Sequence, residues 1–314
     1  MKAPIFFYLF PLIVVAILFF SGFLFWTLRL KKNPRNKLPV LVYHKIGNRF
    51  EWGITRQKVR QFEEQMKYLK EEGYQSIRVS QGLLESDSMN RMSTKDSKRI
   101  LITFDDGYES VYSFAFPILE RYGFTALIFL ITGYVGKYNR WDVNWGKRFK
   151  HLSWDQIKEM NKYGFSFGSH TVNHPDLTKL EKRYVEYELK RSKEELEDRL
   201  SQKTDFLSFP FGKYNQMVEN LAQRIGYQRA FTICSHSKGR SPHGFVQGRL
   251  GIYLFDSALT LRIKLNRGGL FWIEDLKGRI INAFANGTAL VKRPDYNKIE
   301  SESISIPAQR PTKS

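Results

Sequence analysis

Two short segments hold side chains of the types and spacing that do chemistry. Asp105 and Asp106 close an apolar run, Ile100–Phe104, inside Thr103-Phe104-Asp105-Asp106-Gly107. His170 and His174 stand four apart after a second run, Phe165–Ser169. One carboxylate and two imidazoles form a mixed N/O donor set, suited to a zinc-like ion that keeps a position open for water. The other carboxylate is then available as a base. Neighbouring residues on a strand point to opposite faces, so both aspartates reach one site only where the strand ends. Gly107 allows that bend. Either segment alone has a plainer reading: Asp-Asp-Gly as a solvated turn, a lone histidine as a buried hydrogen-bonder. Together, each at the end of an apolar run, they favour a metal centre.

The elements that must carry these residues alternate. Strands are expected at Pro39–His44, Ser76–Val79, Arg99–Phe104, Thr125–Ile131, Phe165–Ser169, Phe206–Phe209, Gln228–Cys234 and Arg249–Leu254. Val59, Phe62, Met66 and Leu69 recur at helical spacing, and Gly73 stops that helix. Further helices are expected over Ser110–Tyr122, from the Ser153/Gln156 capping box to Tyr163, along the face Val185, Leu189, Ser192, Leu196 and Leu200, and over Gln216–Ile225. Alternation implies a parallel sheet. About seven such units can close as an α/β barrel, with the Asp pair and His170 at carboxyl ends of strands, where barrels build their sites. The loop after Ile131 crowds Tyr134, Tyr138, Trp141 and Trp145, flat faces that suit sugar rings or cover the barrel end.

The double-Asp and His-x-x-x-His motifs, with Ser208-Phe209-Pro210-Phe211-Gly212, resemble the polysaccharide deacetylases, the family that shares the NodB homology domain. The resemblance covers about residues 38–255 and implies a distorted seven-unit β/α barrel. It makes Asp105 the catalytic base and Asp106, His170 and His174 ligands of a divalent metal: zinc first, with Co, Ni, Fe or Mn as alternatives. The third motif usually begins with an arginine that steadies the base. Ser208 stands there instead, and Arg249 is the candidate replacement. The backbone N–H of Phe211 becomes an oxyanion donor. No late Leu-x-His follows residue 212. Val40-Leu41-Val42-Tyr43-His44 instead resembles the poly-N-acetylglucosamine deacetylase branch, where that motif is permuted to the front, so His44 becomes the general acid. The implied reaction is hydrolytic de-N-acetylation of an N-acetylhexosamine polysaccharide. Peptidoglycan or O-acetyl-ester deacetylation on the same fold, or glycan binding without catalysis, are the alternatives.

Residues 1–28 read as a membrane anchor, because the uncharged run Ala3–Leu28 exceeds the about 20 residues that span hydrocarbon. A cleaved signal peptide is the rival, disfavoured by the length of the run and the lack of an Ala-x-Ala-like site. A basic linker (29–38), the deacetylase-like domain (39–290) and a polar, disordered tail (291–314) follow. Arg29, Lys31, Lys32, Arg35 and Lys37 after the span favour a cytoplasmic domain by the positive-inside rule. A glycan substrate favours an extracytoplasmic one, which is the expectation adopted. The formal net charge of +19 is spread along the chain without any nucleic-acid-binding signature, so no nucleic acid is expected as a partner. Cys234 is the only cysteine, which excludes an internal disulfide.

Overall fold

The computed structural model describes residues 38–49, 51, 53–79, 98–139, 148–233 and 244–266, and 271, 273, 274, 276–278 and 281 beyond them. The expected anchor and tail, and residues 29–37 of the expected linker, lie outside these residues, as do Trp141 and Trp145. No helix among the described residues is long and apolar enough to cross a membrane.

Six parallel neighbours run in the order β1 (Val40–Tyr43), β5 (Lys98–Phe104), β6 (Leu127–Leu130), β7 (Ser166–Ser169), β8 (Phe206–Ser208) and β9 (Arg229–Thr232). The seventh place is filled by one split strand. Its first half, β10 (Val246–Gly248), pairs with β9, and its second half, β11 (Leu250–Gly251), pairs with β1. Thus segment 246–251 bridges the two ends of the sheet and gives a seven-position β/α barrel. Arg249 sits at the split, where its N–H donates to Thr232 O at 3.0 Å. The strand expected over Arg249–Leu254 therefore begins earlier and breaks at Arg249. A short β4 (Tyr74–Ser76) pairs with the start of β5, ahead of the expected Ser76–Val79. The pair β2 (Lys45–Ile46) and β3 (Arg56–Gln57) follows β1 and has no periodicity that would announce it.

Alternation sorts the strand residues into two packing layers. Leu41, Ile100, Ile102, Phe104, Ile128 and Leu130 pack outward with helix residues. Val40, Leu101, Leu127, Phe129, Phe206 and Phe231 form a separate cluster inside the barrel. Helix α1 (Val59–Glu71) buries Phe62, Met66 and Leu69 against the outer layer, each contributing about 1.5–3 kcal/mol. A π-helical turn, Val111–Ala115, leads into α2 (Phe116–Tyr122). Helix α3 (Trp154–Lys162) opens on the expected capping box, with Ser153 and Gln156 each satisfying the other's backbone N–H. Helices α4 (Lys182–Leu200) and α5 (Gln216–Ile225) cover β7–β9, and α6 (Ala258–Asn266) packs beside α1.

Candidate metal and catalytic site

Interior parity brings the site together. Leu101, Thr103 and Asp105 lie on one parity of β5 and its continuation. Val40, Val42 and His44 do the same for β1, and Phe206 and Ser208 for β8. Gly168, two before His170, must be small, because an added Cβ would stand 2.8 Å from the Phe129 ring. Asp106 follows Asp105 and should point away. Its left-handed backbone, φ 69°, turns it back toward the same mouth. Gly107, φ 65°, completes the turn where a Cβ would meet Leu130 Cδ2 at 2.6 Å.

Asp105 is fully buried, and its N–H donates to Tyr43 O at 2.9 Å. Arg249 grips its carboxylate with both ends of the guanidinium, Nη1 to Oδ1 and Nη2 to Oδ2, each at 2.7 Å. Ser208 Oγ donates to Asp105 Oδ2 at 3.2 Å and accepts from Arg249 Nη2 at 2.8 Å. Arg249 Nη1 also donates to Thr103 Oγ1 at 3.2 Å. The guanidinium lies 5.3 Å from the Phe129 ring and 5.7 Å from that of Phe231, a planar cation between aromatic walls. Burial pushes the Asp105 pKa up, but Arg249, then His170 and His44, outweigh it and hold the carboxyl below its ordinary range.

Asp106, His170 and His174 place three donor atoms within 4.8 Å of one another. Asp106 Oδ1 lies 3.4 Å from His170 Nε2 and 3.5 Å from His174 Nε2. Ligands spaced tetrahedrally at about 2.1 Å around one ion stand roughly 3.4 Å apart. Asp106 Oδ1 is buried and makes no hydrogen bond among the described residues. The donor set therefore fits a divalent ion. His170 Nδ1 lies 2.8 Å from Ser208 O, a carbonyl that can only accept. The proton thus sits on Nδ1, and the Nε2 lone pair faces Asp106, the usual outer support of a metal-bound histidine. His151 Nδ1 approaches the Asp106 carbonyl likewise, at 2.8 Å.

Among the described residues, five that are not glycine have positive φ: Asp106, Thr171, His174, Phe211 and Ser201. Ser201 caps α4. The other four stand in the two acid–histidine segments and the Pro210 turn, and such backbone costs of order 1–2 kcal/mol per residue. His170–His174 is consequently a loop, not the single helical turn that would also align two imidazoles. Its rings meet with centroids 4.8 Å apart, and the Phe211 ring lies 4.6 Å from that of His174.

Charge follows burial and neighbours. Burial raises the Asp106 pKa, but the surrounding imidazoles, His170 first and then His174 and His44, drive it far below the usual carboxylate value. Burial lowers that of His170, yet Asp105 and Asp106 leave it raised overall. In His174 burial dominates and brings the pKa to about 4. Burial also lowers that of His44, with Asp106 and Asp105 opposing. His44 Nδ1 is buried without a hydrogen-bond partner among the described residues.

Tyr134 packs 5.8 Å from the His151 ring, whereas Tyr138 is largely exposed. Sequence reasoning missed Thr103, His151 and Glu188. The Glu188 carboxylate, buried on α4, accepts the N–H groups of Val172 and Asn173. It had a signal: a charged residue on the apolar stripe of Val185, Leu189, Ser192 and Leu196. His151 had none beyond its nearness to the α3 cap.

The sequence profile of the family described as polysaccharide deacetylase matches residues 92–230. YxkH of Bacillus subtilis (strain 168), named as a polysaccharide deacetylase, is 33% identical over 204 residues, spanning 65% of this chain and 67% of that one. The poly-β-1,6-N-acetyl-D-glucosamine N-deacetylase of Staphylococcus aureus (strain MSSA476) is 26% identical over 55% of this chain, which spans only 59% of that protein. Among solved structures, the Streptococcus pyogenes deacetylase PplD superposes with TM-score 0.60 at 28% identity, over 72% of this chain and 96% of that one. IcaB from Ammonifex degensii gives 0.60 at 26% identity, over 72% and 95%. The matched span contains the Asp pair, both histidines and the Pro210 turn, and the chain belongs to the polysaccharide deacetylase family.

Proposed function

We propose that this protein is a metal-dependent hydrolase that removes acetyl groups from an N-acetylhexosamine polysaccharide. The observation that carries the reading is a carboxylate locked by Arg249, Asp105, beside the converging donors of Asp106, His170 and His174. Those three residues would hold the ion, which supplies Lewis-acid polarisation of the acetamide carbonyl and acidifies water. Asp105 takes the water proton. Its hydrogen bonds to Arg249 keep it ionised and fix its direction. The Phe211 N–H donates to the oxygen as negative charge develops there. His44 gives the departing amine its proton. Burial lowers the pKa of its ring, so His44 takes up the water proton from Asp105 after attack and returns to the neutral imidazole when it passes that proton to the amine. A free amino sugar and acetate result.

The poly-N-acetylglucosamine substrate class rests on the named function of the Staphylococcus relative and on His44 at the end of β1. The uncharged run Ala3–Leu28 supports a single-pass anchor, and a glycan substrate favours a domain outside the membrane, against the positive-inside bias of the basic residues that follow the run. The test is acetate release from defined N-acetylated oligomers, with and without a chelator. Asp105→Asn should keep the metal and lower turnover by about two to four orders of magnitude. Chelator-insensitive release, or an Asn variant within threefold of the parent, would overturn the reading.

A further inference from the structure

We infer that Glu188 is a positioning residue for His174, fixing the second imidazole of the metal centre through the loop backbone. The inference rests on the reading of His174 as a ligand. Every backbone N–H from His170 to His174 has a partner, as buried N–H groups must. His170 N–H donates to Leu130 O at 2.8 Å. Thr171 N–H donates to Ser169 Oγ at 3.1 Å. Val172 and Asn173 N–H both donate to Glu188 Oε2, at 2.8 and 2.9 Å. His174 N–H closes the loop on Thr171 Oγ1 at 3.0 Å. Asn173 Nδ2 donates to Glu188 Oε1 at 2.8 Å. On the other side, Thr132 and Gly133 N–H hold the carbonyls of Thr171 and Val172, at 3.1 and 3.0 Å.

Three donors therefore converge on one fully buried carboxylate. A carboxylate is acceptor-only, which suits that set. The segment it braces contains two left-handed residues, Thr171 and His174, whose strain persists only while the surroundings over-determine it. Helix α4 supplies the brace twice. Ser192, one turn beyond Glu188, contacts Ser169 Oγ at 2.7 Å, and Ser169 in turn holds Thr171. His170 is placed differently: Leu130 O fixes its backbone and Ser208 O its ring, and neither involves Glu188. The effect of Glu188 should accordingly pass through His174 alone.

A double-mutant cycle on Zn²⁺ affinity tests this. Purified full-length parent, Glu188→Gln, His174→Ala and the double variant are titrated against a chromophoric chelator. Glutamine keeps the shape but turns an N–H₂ toward groups that need an acceptor. Glu188→Gln should weaken Zn²⁺ binding about 10–100-fold, the range for outer supports of metal ligands. In the His174→Ala background the same change should cost less than twofold. An affinity within twofold of the parent, or an equal loss in both backgrounds, would overturn the inference, the latter exposing general destabilisation. If Glu188→Gln does not fold, Asn173→Ala removes one of the three donors and is read the same way: a smaller loss, abolished beside His174→Ala. If His174→Ala alone leaves Zn²⁺ affinity unchanged, the ligand reading fails instead.

Discussion

Replacing Arg249 by methionine tests the centre of the barrel most sharply. The thioether retains apolar bulk between Phe129 and Phe231 but removes both hydrogen bonds to Asp105 and those to Ser208 and Thr103. Breaking a fully buried ion pair by deleting one partner costs about 3–5 kcal/mol, because the remaining charge is stranded. The loss should depend on pH in a stated direction. In the parent, the folded Asp105 pKa is depressed, so its stabilisation is present above the unfolded value of about 3.9 and is lost as pH falls through the folded value. In the variant, burial acts without Arg249, and the folded pKa rises above about 3.9. The variant then loses stability as pH climbs toward that raised pKa, at about 1.4 kcal/mol for each pH unit between the unfolded and folded values. Urea unfolding of both proteins with chelator present, at acid, neutral and alkaline pH, should show a gap that widens with pH. Acetate release by the variant should be low at neutral pH and recover partly as Asp105 ionises at higher pH. A gap under about 1 kcal/mol in alkali, or one that does not change with pH, would refute the account of Arg249 as the counter-ion.

Metal affinity should fall as pH drops through the raised pKa of His170, whereas His174, at about 4, should compete with the metal only in acid. Calorimetry in buffers of different ionisation enthalpy would register the proton released near neutrality, and its absence in His170→Ala would locate it. His44→Ala should lower kcat on amide substrates with metal content intact and cost an ester much less, because its alkoxide is a far better leaving group than an amine anion. Equal losses on both would make His44 structural. Protease added to intact cells should degrade residues 38–314 if Ala3–Leu28 anchors an outside domain, and full protection until lysis would reverse that orientation.

Much of the site was legible in one dimension because its chemistry is local. Asp105, Asp106, His170 and His174 sit at the ends of apolar runs, and parity along a strand predicts which residues face inward. The Ser153 cap and the amphipathic α1 were legible for the same reason: helix signals span only a few residues. His44 at the end of the first strand and the missing arginine at Ser208 were visible as pattern and departure. What the chain order could not decide was partnership. Asp105 and Arg249 meet at 2.7 Å only because segment 246–251 closes the sheet against β1 and splits at that residue. No periodicity marks a strand that serves two neighbours. Asp106 joins the site only through a left-handed turn, which tertiary packing must enforce against its local cost. Glu188 reaches the histidine loop because α4 lies across β7, a contact set by packing of helix on sheet rather than by any spacing in the sequence.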